Sequence, residues 1–324
     1  MRALRLEAVG RLALRDLPDP VAGPGEVLVR VGACGVCGTD RHLYRGEFPS
    51  RPPVTLGHEF AGTVEAVGEG VGHLAPGDLM TADPNIPCGL CGPCRRGRPN
   101  LCEGNRALGV GRDGGFADLA IVPAVQAHRV PPEIGAEAAA LTEPLACTLH
   151  GMDLAAVVPG MTVTVLGGGV IGLMAARLAA LAGASVALVT RHPAKRALAE
   201  SLGARALPSA QGLPQADAVI ECAGVPETVA QAPRLTRAGG AVVLLGVLPQ
   251  GATVPIEPFD LVFREISLLG SFVNPSTHAR AAALIASGAV PAGALVTRRV
   301  PLAEAASVVA DPPPPGEVRA LVVP

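Results

Sequence analysis

The sequence lacks any uninterrupted apolar run of the roughly 18 residues that a membrane-spanning helix requires, although 49% of its 324 residues are hydrophobic. The stretch from Thr162 to Leu181 comes nearest, but it contains four glycines and Arg177, and a dinucleotide-binding turn explains it better than a lipid span does. No leader is expected either. Met1-Arg2-Ala3-Leu4-Arg5-Leu6-Glu7 alternates charged and apolar residues like a strand, and no apolar core or cleavage site follows, so the expected location is the cytoplasm. There is no basic excess: 26 Lys and Arg against 28 Asp and Glu leave a net charge of -2. Nucleic acid is therefore not an expected partner, since phosphate binding usually leaves a clustered basic surface. Lysine is nearly absent, Lys195 being the only one. No internal repeat or long low-complexity segment occurs.

What is present divides the chain. Its length suits two domains rather than one. As far as about Leu145 the sequence is rich in Gly and Pro, with short alternating runs such as Glu26 to Val31 and Gly62 to Val67, the texture of a β-rich domain with long loops. After Pro159 strands and helices alternate. Strands are expected at Thr162 to Leu166, Ser185 to Val189, Asp217 to Glu221, Ala241 to Gly246 and Ser267 to Phe272. Helices are expected at Val170 to Leu181, Pro193 to Leu202 and Pro226 to Arg237. That spacing predicts a parallel sheet covered on both faces. A helix at Thr277 to Ser287 and a strand at Val318 to Val323 follow, and the residues alone allow them to extend this sheet or to rejoin the first domain.

Eight cysteines without an export signal point to metal or redox chemistry rather than disulfides. Cys88, Cys91, Cys94 and Cys102 form a C-x2-C-x2-C-x7-C lobe with Gly89, Gly92, Pro93 and Gly97. The densest basic group, Arg95, Arg96 and Arg98, lies inside it. Four thiolates meet the tetrahedral demand of Zn²⁺, and a site filled by four protein ligands is structural. An iron-sulfur cluster ranks below zinc, because no Pro follows the last cysteine and no second cluster motif is present.

A second cluster is expected from Cys37, His58 and a carboxylate. A catalytic zinc needs three protein ligands and one exchangeable position. Gly167-Gly168-Gly169-Val170-Ile171-Gly172 supplies a G-x-G-x-x-G turn directly after a strand and at the start of a helix, where unpaired amides and close backbone approach suit a pyrophosphate. About 20 residues on, an NAD site usually carries an acidic residue. Here the segment reads Thr190-Arg191-His192. Without the carboxylate a 2'-phosphate is not repelled, and Arg191 can pair with it, so NADP is favoured over NAD, with Arg196 a weaker helper.

GHEFAGTVEAVGEGV, CGTDRHLYRGEFP, the four-cysteine lobe and VTVLGGGVIGLMAA together resemble the zinc-containing medium-chain dehydrogenases, and among them the sorbitol and threonine dehydrogenase branch. The likeness runs over nearly the whole chain. It implies a GroES-like β-rich catalytic domain, residues 1 to about 147 and about 275 to 324 with the zinc lobe at 88 to 102, interrupted by a Rossmann domain over 148 to 274. It implies that Cys37, His58 and Glu59 ligate the catalytic zinc. It singles out Glu143, where this branch has a glutamate, as a residue able to exchange with Glu59 or water. It suggests a proton relay from Thr39 through the cofactor ribose to His42. Cys147 is a rival ligand, more simply read as a small buried residue like Cys34 and Cys222.

The activity so implied is hydride transfer between a secondary alcohol (a polyol, sugar or diol) and NADP or NAD, with one catalytic and one structural zinc. The substrate is expected near Thr39, Tyr44, Phe116 and Glu143 in a cleft between the domains. A homodimer or homotetramer is expected by analogy. A threonine 3-dehydrogenase-like amino alcohol dehydrogenase is the alternative enzyme, and a zinc- and nucleotide-binding sensor without turnover is the alternative class.

Overall fold

Val27, Val29 and Val31 are all buried, the period-two signature of a strand with one face in a core. In the computed structural model, which describes residues 1–324, the chain forms two compact units. Met1–Glu143 and His278–Pro324 make the first, and Pro144–Thr277 the second.

In chain order the first unit contributes β1 (Arg2–Ala8), β2 (Arg11–Asp16), β3 (Glu26–Gly35), α1 (Gly38–Arg45), β4 (Val54–Thr55), β5 (Glu59–Val67), β6 (Leu79–Ala82), the one-turn α2 (Gly92–Arg95), β7 (Leu119–Pro123), β8 (Ala127–Arg129) and α3 (Gly135–Ala140). Helix α4 (Thr142–Ala155) carries the chain onward. There follow β9 (Thr162–Leu166), α5 (Val170–Leu181), β10 (Ser185–Val189), α6 (Pro193–Ser201), β11 (Arg205–Leu207), β12 (Ala216–Glu221), α7 (Pro226–Leu235), β13 (Thr236–Leu244), α8 (Pro258–Phe263) and β14 (Ser267–Gly270). The chain ends with α9 (His278–Ala286), β15 (Val296–Pro301), α10 (Ala305–Ala310) and β16 (Arg319–Val323).

The first unit holds a three-stranded sheet in the order β2-β1-β4 and a seven-stranded sheet in the order β15-β16-β3-β5-β6-β8, with β7 paired to β3. Strand β16 pairs antiparallel with β3 through Leu321↔Gly35 and Val322↔Cys34. That pairing returns the C-terminal segment to the first unit, the choice the residues alone leave open. Phe60, Met80, Leu108 and Phe116 fill the core beside Leu4, Leu6 and Val29. Phe116 is therefore a core residue, fully buried, and not a wall of a substrate site.

The second unit is a six-stranded, wholly parallel sheet in the order β11-β10-β9-β12-β13-β14. The order reverses between β9 and β12, which makes a switch point at their C-terminal ends, the place where open α/β sheets bind ligands. Helix α7 stops at Leu235, two residues before the expected Arg237, and β13 begins at once with Thr236. Pro233, inside the last turn, has no N–H to give the Val229 carbonyl, which weakens the helix at this end. Arg264 donates to the carbonyls of Pro233 and Thr236, tying off the helix end.

Candidate active site

The register of β3 against β5 assembles the first cluster. Cys34 pairs with Phe60 and Gly35 with Glu59, so the chain leaves β3 through Val36 and Cys37 beside the residues that open β5. Gly35 leaves room for the Glu59 side chain, since a Cβ there would come within 2.2 Å of Glu59 Oε2 and displace that carboxylate. His58 follows Gly57, whose φ of +90° is left-handed and whose Cβ, if present, would meet Cys34 Sγ and Phe116 Cδ1 at 2.7 Å. The outcome is that the ligand atoms of Cys37, His58 and Glu59 lie within 4.8 Å of one another. His58 and Glu59 are buried, and Cys37 is partly so.

These groups suit a dication. Buried Glu59 Oε2 has no hydrogen-bond partner, a costly state for a carboxylate oxygen unless something cationic meets it. Burial pushes the His58 pKa down, yet the Asp40 carboxylate and Cys37 more than reverse this and hold it well above its ordinary value. Acidic and thiol groups gathered this closely around one imidazole favour a bound cation. Three donors of N, S and O type leave one tetrahedral position free, as a catalytic zinc requires.

Two residues that the motifs did not single out complete the cluster. Asp40, fully buried in the first turn of α1, accepts the Cys37 backbone N–H through Oδ2 at 2.8 Å and sets Oδ1 3.5 Å from His58 Nδ1. One carboxylate thus fixes the Cys37 backbone by a hydrogen bond and faces the His58 ring across an ion-pair distance, with His58 Nε2 on the far side of the ring. The sequence offered only its position, an acid three residues after Cys37. Arg319 is the other. Its Nη2 lies 3.1 Å from Glu59 Oε1, its Nη1 donates to the Val36 carbonyl, and its pKa is raised because Glu59 and Cys37 outweigh its burial. A lone arginine in the otherwise apolar run Val318 to Val323 was the available hint.

Glu143 is buried in the first turn of α4 and lies close enough to Arg319 to add to its field, but it falls outside the close group of three. Thr39 sits in the first turn of α1 with its hydroxyl 3.8 Å from Cys37 Sγ. His42, in the last turn of the same helix, places Nδ1 2.6 Å from Glu47 Oε2. Tyr44 is half-buried against the core.

In the lobe, Cys88, Cys91, Cys94 and Cys102 bring their sulfurs within 4.8 Å of one another, and no cysteine of the chain is in a disulfide. The backbone prepares one thiolate: the N–H groups of Leu90 and Cys91 point at Cys88 Sγ, at 3.4 and 3.3 Å, and pull its pKa down to about 6. Desolvation, with Cys91 beside it, pushes Cys94 up to about 12. Four sulfurs this close cannot all ionise unless a cation shares them, which is the chemistry of a structural zinc.

In the second unit the glycine turn joins β9 to α5. Gly167 has φ +111° and would meet the backbone of Ala223 at 2.8 Å if it carried a Cβ, and a Cβ on Gly172 would lie 1.9 Å from the Gly167 carbonyl oxygen. Gly169, the residue capping α5, has nothing within 4 Å of its Cβ direction. Two glycines therefore allow close packing, and the third puts no side chain at the N-terminus of α5, where first-turn amides suit a phosphate. Thr190, buried, and Arg191, exposed, lie just past the end of β10. Arg196 Nη1 donates to the carbonyls of Thr190 and Arg191 at 3.1 and 2.9 Å, so this guanidinium braces the turn that presents Arg191.

A β-rich unit with two zinc-competent clusters and a parallel-sheet unit with a dinucleotide turn define a class: metal-dependent oxidoreductases that use a nicotinamide cofactor. Known proteins agree. Residues 23–132 match the alcohol dehydrogenase GroES-like domain, and residues 170–287 match the zinc-binding dehydrogenase family. D-altritol 5-dehydrogenase of Agrobacterium fabrum is 33% identical over 315 residues, 94% of each chain. Sorbitol dehydrogenase of Gallus gallus is 34% identical, covering 94% of this chain and 90% of its own. A zinc-binding dehydrogenase structure from Sinorhizobium meliloti 1021, solved with NADP bound, is 52% identical and superposes with a TM-score of 0.97 over 100% of this chain and 99% of that one. The chain belongs to the zinc-containing medium-chain dehydrogenases.

Proposed function

We propose that the protein oxidises a secondary alcohol, a polyol, sugar or diol, and transfers its hydride to NADP in preference to NAD. The observation that carries this reading is the close group of Cys37, His58 and Glu59, supported by the polyol dehydrogenase relatives and the NADP-bound structural neighbour. Cys37, His58 and Glu59 would hold the catalytic zinc, with Glu143 able to exchange with Glu59 or water, and Cys88, Cys91, Cys94 and Cys102 the structural zinc. When bound, the catalytic ion supplies Lewis acidity that makes a substrate hydroxyl easier to deprotonate, and the nicotinamide supplies the hydride acceptor.

The chain's own residues do the rest. Asp40 aims Cys37 and His58. Arg319 holds one oxygen of Glu59 and leaves the other free. Thr39 Oγ1, beside Cys37 Sγ, takes up the substrate proton, and His42 is the outer acceptor. The turn from Gly167 to Gly172 holds the pyrophosphate through the amides of Gly169, Val170 and Ile171, and Arg191 meets the 2'-phosphate with charge-assisted hydrogen bonds.

Eight free thiols, six of them in or beside zinc sites, suit a reducing compartment, and no helix is long and apolar enough to cross a membrane. A cytoplasmic homodimer or homotetramer is the form proposed. The test is a substrate panel of polyols, sugars, diols and threonine with NADP and with NAD, run beside metal analysis. Turnover of polyols, with one zinc lost and activity abolished in Cys37→Ala, is the expected result. Full activity in that variant, or turnover of threonine alone, defeats the reading.

A further inference from the structure

The end of α1 carries an acid–imidazole contact that the reaction as described leaves unused. His42 Nδ1 lies 2.6 Å from Glu47 Oε2, with 25% and 35% of the two side chains exposed. The backbone builds this contact. Gly46 ends the helix at φ +74° and donates its N–H to the Leu43 carbonyl, and Glu47 donates its N–H to the His42 carbonyl at 2.9 Å. The second bond joins a residue to the one five positions earlier, the closure of a Schellman motif. Residues linked in this way sit side by side. A carboxylate at position 47 is therefore held against His42 by the main chain as well as by its own hydrogen bond.

The contact fixes a tautomer. An ionised carboxylate only accepts hydrogen bonds, so the imidazole nitrogen that faces it carries the hydrogen. His42 then has its N–H at Nδ1 and its lone pair at Nε2. The opposite tautomer would present an N–H at Nε2 and could take no proton there.

We propose that Glu47 is a positioning residue for proton exit, holding His42 in the tautomer whose Nε2 receives the proton released when the alcohol is oxidised. This rests on the reading of His42 as the outer proton acceptor. In the step, an O–H bond breaks and an N–H bond forms at Nε2, while the hydride has gone to the nicotinamide. The imidazolium keeps its Nδ1–H on Glu47, then returns the Nε2 proton to water and is neutral again. Glu47 accepts the Nδ1–H throughout and takes up no proton in the step.

Nitrogen-15 spectra of histidine-labelled, cofactor-free protein read the tautomer without any turnover. An Nδ1–H form at His42 is expected in the native protein and its loss in Glu47→Ala. In kinetics, Glu47→Ala is expected to lower kcat about tenfold, a positioning loss smaller than the roughly 10²-fold or greater loss expected of His42→Ala, which removes the acid–base group itself, with KM little changed in both. The double variant should be no slower than His42→Ala. Glu47→Gln, whose amide oxygen still accepts from Nδ1, should recover most of the rate. An Nε2–H tautomer in the native protein overturns the proposal, as does native kcat in Glu47→Ala when His42→Ala is slow. Native kcat in His42→Ala defeats the relay reading first and this inference with it.

Discussion

At the scale of single residues, the members of the two close donor groups were legible in the sequence and the residues that pack behind them were less so. Cys37 and His58 stand in short motifs whose chemistry is local, whereas Asp40 looks like an ordinary acid at a helix start until β5 brings His58 to 3.5 Å from it. Arg319 was further out of reach, because its partner Glu59 meets it only through the pairing of β16 with β3. Asp40→Asn should weaken catalytic zinc about 10–100-fold, the usual cost of losing a carboxylate behind a ligating histidine, while lobe zinc stays. Competition with a graded chelator measures this. Equal retention of both zincs in the variant would contradict the role. Arg191→Asp tests cofactor choice. Charge-assisted hydrogen bonds to an ionised group are worth about 1.5–3 kcal/mol, so the ratio of kcat/KM for NADP over NAD should fall by roughly tenfold or more, and an unchanged ratio would move phosphate recognition elsewhere.

At the scale of elements, strands and helices set by local pattern were foreseen most closely. β9, α5 and β10 have the bounds read from the sequence, because glycines mark the turns and the apolar period changes cleanly from two to 3.6. Strand β15 was not foreseen. Val296–Pro301 alternates two buried valines with exposed Thr297 and charged residues and is strand only because β16 pairs with it in parallel. Gly57 shows what such pairing demands of one residue. Gly57→Ala combines left-handed strain with a clash against Phe116 and Cys34, at a cost of about 2–5 kcal/mol from the two effects together. Thermal unfolding should drop accordingly, and catalytic zinc should fall with it, since His58 is the next residue.

A pH effect arises where α9 meets β6 and β8. His278 is buried, its Nε2 lies 3.3 Å from Thr81 Oγ1, and its ring sits 4.8 Å from that of His128. Burial, with His128 adding, pushes its pKa well below the ordinary value, and His128 is lowered too, by burial, although Asp83 opposes this and His73 adds to it. A base whose pKa is lower folded than unfolded binds more protons when unfolded, so stability is full above the unfolded value of about 6.5 and drains away below it. Each such histidine contributes a slope of up to about 1.4 kcal/mol per pH unit. His278→Gln should flatten the fall in melting temperature on acidification from pH ~6.5 to ~5, and an unaltered slope would assign the acid sensitivity to other groups.

At the scale of the whole molecule, the question is what covers the open edge of the second unit's sheet. Strand β14 ends the sheet and has a neighbour on one side only, so it presents unpaired backbone groups of the kind that natural proteins normally pair or cover. Helix α8, which leads into it, exposes Phe259, Val262 and Phe263, the two phenylalanines stacked at 4.0 Å. Large apolar side chains grouped on a surface mark an interaction site. A two-fold axis would let one copy present the same edge and the same aromatic pair to another, satisfying both with a single self-complementary patch. The paired variant Val262→Asp with Phe263→Glu should therefore sediment as monomer while keeping both zincs and its melting temperature, and native protein should sediment as dimer or tetramer. If native protein is monomeric at micromolar concentration, or if the variant assembles as before, this face is not where copies meet.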